Sequence, residues 1–143
     1  MLKRIFLFLI IFAATSPFTS TAYSQTEMKT VTLPSGEVVC NLNGEWNALY
    51  EHYGSLEWVG NIKGMLAIVQ EGSTFVGKTT IDSAWSAKGT EKIRGELDKD
   101  GIKKAQYSVP TMGWKDAKGE MSKGCDKVVL DTGIGVKVIL ERK

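Results

Sequence analysis

The side chains that could act as nucleophiles, bases or metal ligands are few and widely spaced along this chain. His52 is the only histidine, and Cys40 and Cys125 are the only cysteines. Hydrolytic chemistry needs a nucleophile beside a base that a third group orients, and the sequence offers no identifiable partners for His52. Two thiols and one imidazole also leave the usual four-ligand zinc sphere incomplete. We therefore predict no catalytic residues, no metal site and no cofactor.

Two short motifs resemble sites of known chemistry, but both are better interpreted as turns. Residues 128–133 read Val-Val-Leu-Asp-Thr-Gly, similar to the active-site sequence of aspartic proteases, which need two carboxylates sharing one proton. A three-residue motif recurs by chance, and Asp131 and Gly133 are typical residues of a hairpin turn. Residues 98–101 begin like a calcium loop, but Val109 stands at position twelve, where that loop requires glutamate.

The aromatic residues are the best indication of a function. Trp46 opens a strand-like segment, and we expect its ring to fill the core. Trp85 and Trp114 lie in two segments of small and polar residues, 82–90 and 108–118, which we predict to be long loops. Aromatic side chains around the mouth of a barrel bind apolar or planar ligands. The predicted ligand-binding residues are Trp58, Trp85, Trp114, Tyr50 and Tyr107.

The first residues of the chain have the layout of a secretory signal peptide. Lys3 and Arg4 precede an uncharged apolar run, residues 5–14, and small and polar residues close the segment. This pattern predicts a signal peptide at 1–24, cleaved before Gln25. The apolar run is shorter than the roughly 20 residues that span a bilayer. No cysteine marks a lipid anchor, so we expect a periplasmic or secreted protein of one domain, residues 25–143, without membrane insertion after processing.

The charge balance excludes some partners. The predicted leader holds two of the 18 Lys and Arg residues and none of the 16 Asp and Glu residues, which leaves 16 of each sign. Nucleic-acid binding usually requires a basic stripe, and the longest basic cluster is Lys103-Lys104. We therefore predict no nucleic-acid partner and interpret these two lysines as part of a solvated strand.

The two cysteines are expected to form a disulfide bond. An even number of cysteines in an oxidising compartment favours pairing, and with Cys40 and Cys125 only one intramolecular bond can form. It would close a loop of about 85 residues, for which chain entropy gives a stabilisation of roughly 4 kcal/mol. Buried free thiols and a metal-binding pair are the alternatives.

Closely spaced glycines separate short segments rich in β-branched and aromatic residues, a pattern typical of an all-β fold. Hairpins are predicted around residues 34–36, 71–73, 98–101 and 131–135. Residues 44–50 fit either a strand or a helix, and the neighbouring glycines favour the strand. About eight strands result, enough for a small antiparallel up-and-down barrel whose interior holds side chains or one small ligand.

Two motifs resemble those of calycins, the group of small secreted barrels that includes lipocalins and avidins. Gly44-Glu45-Trp46 is similar to the Gly-x-Trp of lipocalins, and 75–79 is similar to the Phe-x-Gly-x-Tyr of avidins, with Thr79 in the place of tyrosine. The resemblance implies a calycin-like barrel in which the ring of Trp46 plugs the floor. It implies structural core roles for Gly44, Trp46, Phe75 and Gly77, and it carries no named ligand across.

These observations predict an exported, non-catalytic β-barrel that binds a small or apolar ligand at its mouth. Loops bearing Trp58, Trp85 and Trp114 would form the rim. The alternative is an extracytoplasmic protein-interaction module, such as an inhibitor or an envelope-assembly factor, that uses the same loops as a flat surface. The identity of the ligand or protein partner does not follow from the residues.

Overall fold

The computed structural model describes residues 29–143, which form an all-β fold. The strands are β1 (Thr30–Thr32), β2 (Val38–Cys40), β3 (Gly44–His52), β4 (Ile62–Glu71), β5 (Thr74–Thr79), β6 (Glu91–Asp98), β7 (Gly101–Val109), β8 (Gly113–Met121), β9 (Lys127–Asp131) and β10 (Val136–Arg142), and a 3₁₀ helix spans Gly54–Val59. The predicted signal peptide, 1–24, lies outside the described residues.

Strands β3 to β10 form a closed antiparallel barrel of eight strands, which confirms the predicted fold class. Each strand pairs with its neighbours in sequence, and β10 pairs with β3 to close the barrel. Successive strands run in opposite directions, so the connections alternate between the two ends. We call the end with the loops 53–61, 80–90, 110–112 and 132–135 the open end, and the opposite end the closed end.

The strands that make up the barrel differ from the prediction in two places. The prediction of a long loop at 108–118 is wrong, because β7 continues to Val109 and β8 begins at Gly113. Strand β8 has few β-branched or aromatic residues, but its ladders with β7 and β9 hold it in the sheet. Gly119 is required by packing, since a side chain at this position would collide with Ile102. The first hairpin, β1–β2, is a separate two-stranded sheet outside the barrel.

The segment that fitted either a strand or a helix is strand β3. Trp46, Ala48 and Tyr50 are buried at alternate positions, as expected for a strand with one face towards a core. Both edges of β3 are paired, with β4 on one side and β10 on the other. The strand interpretation is therefore confirmed, because these ladders satisfy the backbone of a segment in which glycines weaken a helix.

Trp46 forms the floor of the barrel at the closed end. Its side chain is fully buried, and its Nε1 donates a hydrogen bond to the carbonyl oxygen of Leu42 at 2.9 Å. The guanidinium of Arg142, from the last strand, lies 4.5 Å above the Trp46 ring in a cation–π contact. Arg142 also donates hydrogen bonds to the carbonyl oxygens of Asn43 and Cys125. The prediction that Trp46 belongs to the core is confirmed.

The N-terminal hairpin covers this floor from below. The predicted disulfide between Cys40 and Cys125 is present, with Cα atoms 5.6 Å apart, and it joins β2 to the β8–β9 connection. Gln70 fastens the same segment to β4: its Oε1 accepts a hydrogen bond from the Leu42 backbone at 2.7 Å, and its Nε2 donates to the Cys40 carbonyl. With Val39 and Leu42 buried, the closed end is filled by the chain itself.

Phe75 and Gly77 belong to the core on β5, as predicted. Phe75 is almost fully buried, and Gly77 leaves the space that the side chain of Ile93 on β6 occupies. A Cβ atom at Gly77 would lie 2.5 Å from Cγ1 of Ile93, closer than packed atoms allow. Next to Gly77 the register of β5 and β6 shifts by one residue. This bulge determines the geometry of the site at the open end.

Candidate ligand-binding site at the open end of the barrel

A cavity of about 210 Å³ lies at the open end. An engineered protein cavity of roughly 150 Å³ is enough to bind benzene, so this volume suits a small ligand. The barrel strands and the open-end loops both contribute to its walls, which are mostly apolar. The lining includes Tyr50, His52, Leu56, Trp58, Ile62, Trp85, Lys92, Tyr107, Met112 and Val136.

A β-bulge directs one lysine into this cavity. Gly77 pairs with Ile93 and Lys78 pairs with Glu91, so Lys92 is the extra residue of β6 and has no partner on β5. A regular strand buries every second residue, but here Lys92 is only 5% exposed and the adjacent Ile93 is fully buried. Bulges re-aim side chains in this way and are frequent beside binding sites.

The environment of Lys92 contains no compensating negative charge. Its Nζ lies 5.4 Å from the ring centroid of Tyr107, and no Asp or Glu lines the cavity. Within residues 29–143 the Lys92 side chain has no hydrogen bond and no ion pair. Burial lowers the pKa of Lys92, because an ammonium loses hydration in an apolar pocket.

Two tyrosines from opposite strands stand beside this lysine. The rings of Tyr50 and Tyr107 have centroids 5.8 Å apart and planes tilted by 32°. Burial raises the pKa of Tyr50 to about 12, and burial together with the neighbouring Tyr50 raises the pKa of Tyr107. Both therefore remain neutral phenols at physiological pH, and each hydroxyl can donate a hydrogen bond. Gly64 makes room for Tyr50, since a Cβ there would lie 3.0 Å from its ring.

The rim of the cavity carries most of the exposed apolar side chains of the described chain. Val38 and Val69 are the only large exposed hydrophobic residues in 29–143 that lie elsewhere. Trp58, in the 3₁₀ helix, is 77% exposed, and Trp85 is 50% exposed. Of the other exposed apolar residues on the open-end loops, Met112 lines the cavity, and Tyr53, Ile81 and Ile134 lie on the same loops outside its lining. An apolar surface concentrated in this way is typical of a binding site.

Polar contacts hold the rim loops in place. The Tyr53 hydroxyl donates a 2.7 Å hydrogen bond to Oδ1 of Asp131, which also accepts from the Gly133 backbone at 2.9 Å. Gly133 has a positive φ of 70°, so the interpretation of the Asp-Thr-Gly motif as a turn is confirmed. His52 Nδ1 lies 2.6 Å from the Gly60 carbonyl oxygen, and this contact anchors the loop that carries Trp58.

The structure brings four of the five predicted ligand-binding residues together. Tyr50, Tyr107, Trp58 and Trp85 all line the cavity, although they come from four different elements of the chain. Trp85 lies in the irregular segment after β5, as predicted.

Trp114 does not line the cavity. It lies on strand β8, and the Arg94 guanidinium covers its ring at 4.1 Å. The next residue, Lys115, pairs with the inward-facing Tyr107, so alternation places Trp114 on the outer face of the barrel. The expectation that Trp114 belongs to a loop at the mouth is therefore wrong.

Sequence reasoning missed Lys92. In the sequence it belongs to Glu-Lys-Ile-Arg, which reads as an ordinary half-exposed strand. The one available signal was Gly77, because glycine within a strand often marks a bulge. That signal does not reveal which residue of the partner strand is displaced.

Other features that could specify chemistry are absent from the described part of the chain. Residues 29–143 contain no group of three or more His, Cys, Asp or Glu side chains placed to hold a metal ion. None of the helical segments in this range has the length and apolar character needed to cross a bilayer. No protein-family model matches the chain, and no curated protein or solved structure is significantly similar to it.

Proposed function

We propose that this protein is an exported, non-catalytic β-barrel that binds a small, largely apolar ligand in the cavity at its open end. The observation that carries the proposal is the cavity of about 210 Å³, which opens between exposed tryptophans at the end opposite the filled floor. Ligand sites of this kind are concave and apolar, with a few polar groups that orient the ligand. Here the polar groups are Lys92, Tyr50 and Tyr107.

The energetics of the cavity favour an apolar ligand. Each Å² of apolar surface removed from water stabilises the complex by about 25 cal/mol. The strands that carry Tyr50 and Tyr107 are paired on both edges, so the inner walls are preformed. Trp58 and Trp85 lie on loops, and their rings can cover a bound ligand and remove further apolar surface from water.

The disulfide and the leader support export. The Cys40–Cys125 bond is compatible with an oxidising compartment such as a periplasm or the extracellular medium. Residues 1–24 supply the matching signal-peptide pattern. A calycin-like relationship is part of this proposal, and it is supported by the Gly-x-Trp motif with Trp46 at the barrel floor.

Binding of a neutral apolar dye tests the proposal. N-phenyl-1-naphthylamine should gain fluorescence in the presence of the processed protein and should quench its tryptophan emission. Trp58→Ala and Trp85→Ala should each weaken dye binding several-fold, because each removes part of the cavity wall. Trp114→Ala is the matched control, since that ring lies on the outer face. Failure of the dye to bind, or equal losses in all three variants, would refute the proposal.

The exposed rim also supports a second function, docking of another protein in the same compartment. Trp58 and Trp85 are residue types that dominate protein interfaces, and both are at least half exposed. A partner recovered from the native compartment that is lost with Trp58→Ala but does not compete with the dye would favour this function. A partner that competes with the dye would bind over the cavity itself.

A further inference from the structure

We infer that the ligand is an amphipathic anion, an apolar body with one terminal carboxylate that pairs with Lys92. This inference rests on the proposed function, because it identifies the class of molecule that the same cavity receives. The body occupies the apolar space beneath Trp58 and Trp85, and the carboxylate lies at the lysine.

The first argument is the unmet requirement of Lys92 itself. The Lys92 side chain is only 5% exposed, and its ammonium is left to the solvent of the open cavity because no described protein group pairs with it. In residues 29–143 no acceptor takes any of its three N–H donors. An apolar residue of similar volume at this position would stabilise the empty barrel more. A ligand carboxylate supplies the missing partner.

The second argument is the sign of the charges around the cavity. Among the residues that line the cavity, Lys92 is the only lysine or arginine, and none is an Asp or a Glu. Two acids at this end of the barrel have partners of their own: Glu91 forms an ion pair with Lys78 at 3.8 Å, and Asp131 accepts a hydrogen bond from Tyr53. The charge that faces the cavity is therefore positive, which favours anions over cations.

The third argument is the set of donors that accompanies the lysine. The hydroxyls of Tyr50 and Tyr107 line the same cavity and form no hydrogen bond with any described residue. A carboxylate accepts up to four hydrogen bonds, and a charged donor with two phenols suits such an acceptor. A neutral apolar ligand would leave all three groups without partners.

Three probes that share an eight-carbon alkyl chain but have a negative, a neutral or a positive head group test this inference on the processed wild-type protein. Octanoate, 1-octanol and octylammonium are compared by calorimetry and by displacement of N-phenyl-1-naphthylamine. Octanoate should bind about ten- to a hundredfold more tightly than 1-octanol, because it adds a charge-assisted hydrogen bond in an apolar site. Octylammonium should bind most weakly. This comparison needs no variant and does not depend on how a mutant folds.

The variant Lys92→Met assigns the preference to one residue. It should reduce octanoate affinity to that of 1-octanol, while 1-octanol and the dye bind at least as well as before. Lys63→Met is the matched control, because it removes the same charge from an exposed position on β4. That control should preserve the preference for octanoate, and thermal unfolding verifies that both variants are folded.

The outcomes separate this inference from the proposed function. If 1-octanol and octanoate bind equally, or octylammonium binds best, the anionic ligand is refuted while the cavity remains a binding site. If Lys92→Met still prefers octanoate, the role of Lys92 is refuted. If neither the dye nor any of the three probes binds, both the inference and the proposed function fail.

Discussion

The two ends of the barrel each place a cation over an aromatic ring, but they differ in what else the cation contacts. At the closed end, the Arg142 guanidinium lies 4.5 Å from the Trp46 ring and also donates hydrogen bonds to backbone carbonyls. At the open end, Lys92 lies 5.4 Å from the Tyr107 ring and has no hydrogen bond among the described residues. Arg142 is therefore part of the core, whereas the N–H donors of Lys92 have no acceptor in the described protein.

This difference separates a structural site from a binding site. An ammonium that faces a cavity and has no protein partner can bind a ligand, whereas one whose donors are taken by the protein cannot. The hairpin β1–β2 and the disulfide fill the space below Trp46, whereas above Lys92 a cavity remains. We therefore expect changes at the closed end to affect stability, and changes at the open end to affect binding.

The largest expected effect is at the floor. Trp46→Ala removes a fully buried ring and its hydrogen bond to Leu42, and we expect it to lower the free energy of unfolding by about 4 kcal/mol. Urea unfolding measures the change. Trp114→Ala, on the outer face, should cost about 1 kcal/mol or less, mainly through its contact with Arg94. Equal losses in the two variants would contradict the assignment of the floor.

Removal of the disulfide should have the next largest effect. Replacing Cys40 and Cys125 with serine frees a loop of 85 residues and should cost roughly 2 to 4 kcal/mol. Because the bond lies at the closed end, the variant should bind the neutral dye normally at temperatures where it is folded. Loss of dye binding by a folded variant would show that the two ends are not independent.

The substitution Lys92→Met should stabilise the unliganded protein by about 1 kcal/mol or less, because it replaces a partly desolvated, unpaired ammonium with an apolar chain. If Lys92 instead stabilised the fold, the substitution would lower the free energy of unfolding, since the variant would lose the contact with Tyr107. Thermal and urea unfolding of the variant and the wild type decide between these outcomes.

The difference in stability between the wild type and Lys92→Met should depend on pH in a defined direction. The folded-state pKa of Lys92 is lowered from 10.5, so between the two values the unfolded chain binds the extra proton. Wild-type stability relative to Lys92→Met should therefore rise as the pH increases across that window. The groups around Lys92 are Tyr50, His52, Tyr107 and Lys115, and taking the difference between the proteins removes most of their contribution. A difference that is constant with pH would contradict the burial of this charge.

The smallest expected effect is at the rim. Thr111 has a positive φ of 66°, which is unfavourable for a β-branched residue, and it lines the cavity. Thr111→Asn should raise the free energy of unfolding by about 1 kcal/mol or less, because asparagine tolerates this conformation. Urea unfolding measures this change. An unchanged or lower free energy of unfolding would show that the hydroxyl or the methyl group of Thr111 makes a stabilising contact.

The barrel was predictable because its signals are local. The glycines mark the turns and also favoured the strand interpretation of β3, and the pairing of Cys40 with Cys125 needed only their number. Strand β8 was missed because it has few β-branched or aromatic residues, and the reason for Gly119 is the distant Ile102.

The site was only partly predictable because it depends on register. Trp58 and Trp85 were identified from their surroundings in the sequence, but the inside or outside position of Trp114 depends on which residue pairs with Tyr107. Lys92 enters the cavity because β6 has one residue more than β5 at the bulge. A shift of one residue reverses the face of a strand, and no local pattern reports it.

The indole resonances of the four tryptophans provide the most direct test of the difference between the two ends. In a nitrogen-15 correlation spectrum of the processed protein titrated with 1-octanol, the signals of Trp58 and Trp85 should shift in a saturable way. The signals of Trp46, at the floor, and Trp114, on the outer face, should stay in place. Saturable shifts confined to Trp46 or Trp114, or no shift at any of the four, would contradict a ligand site at the open end.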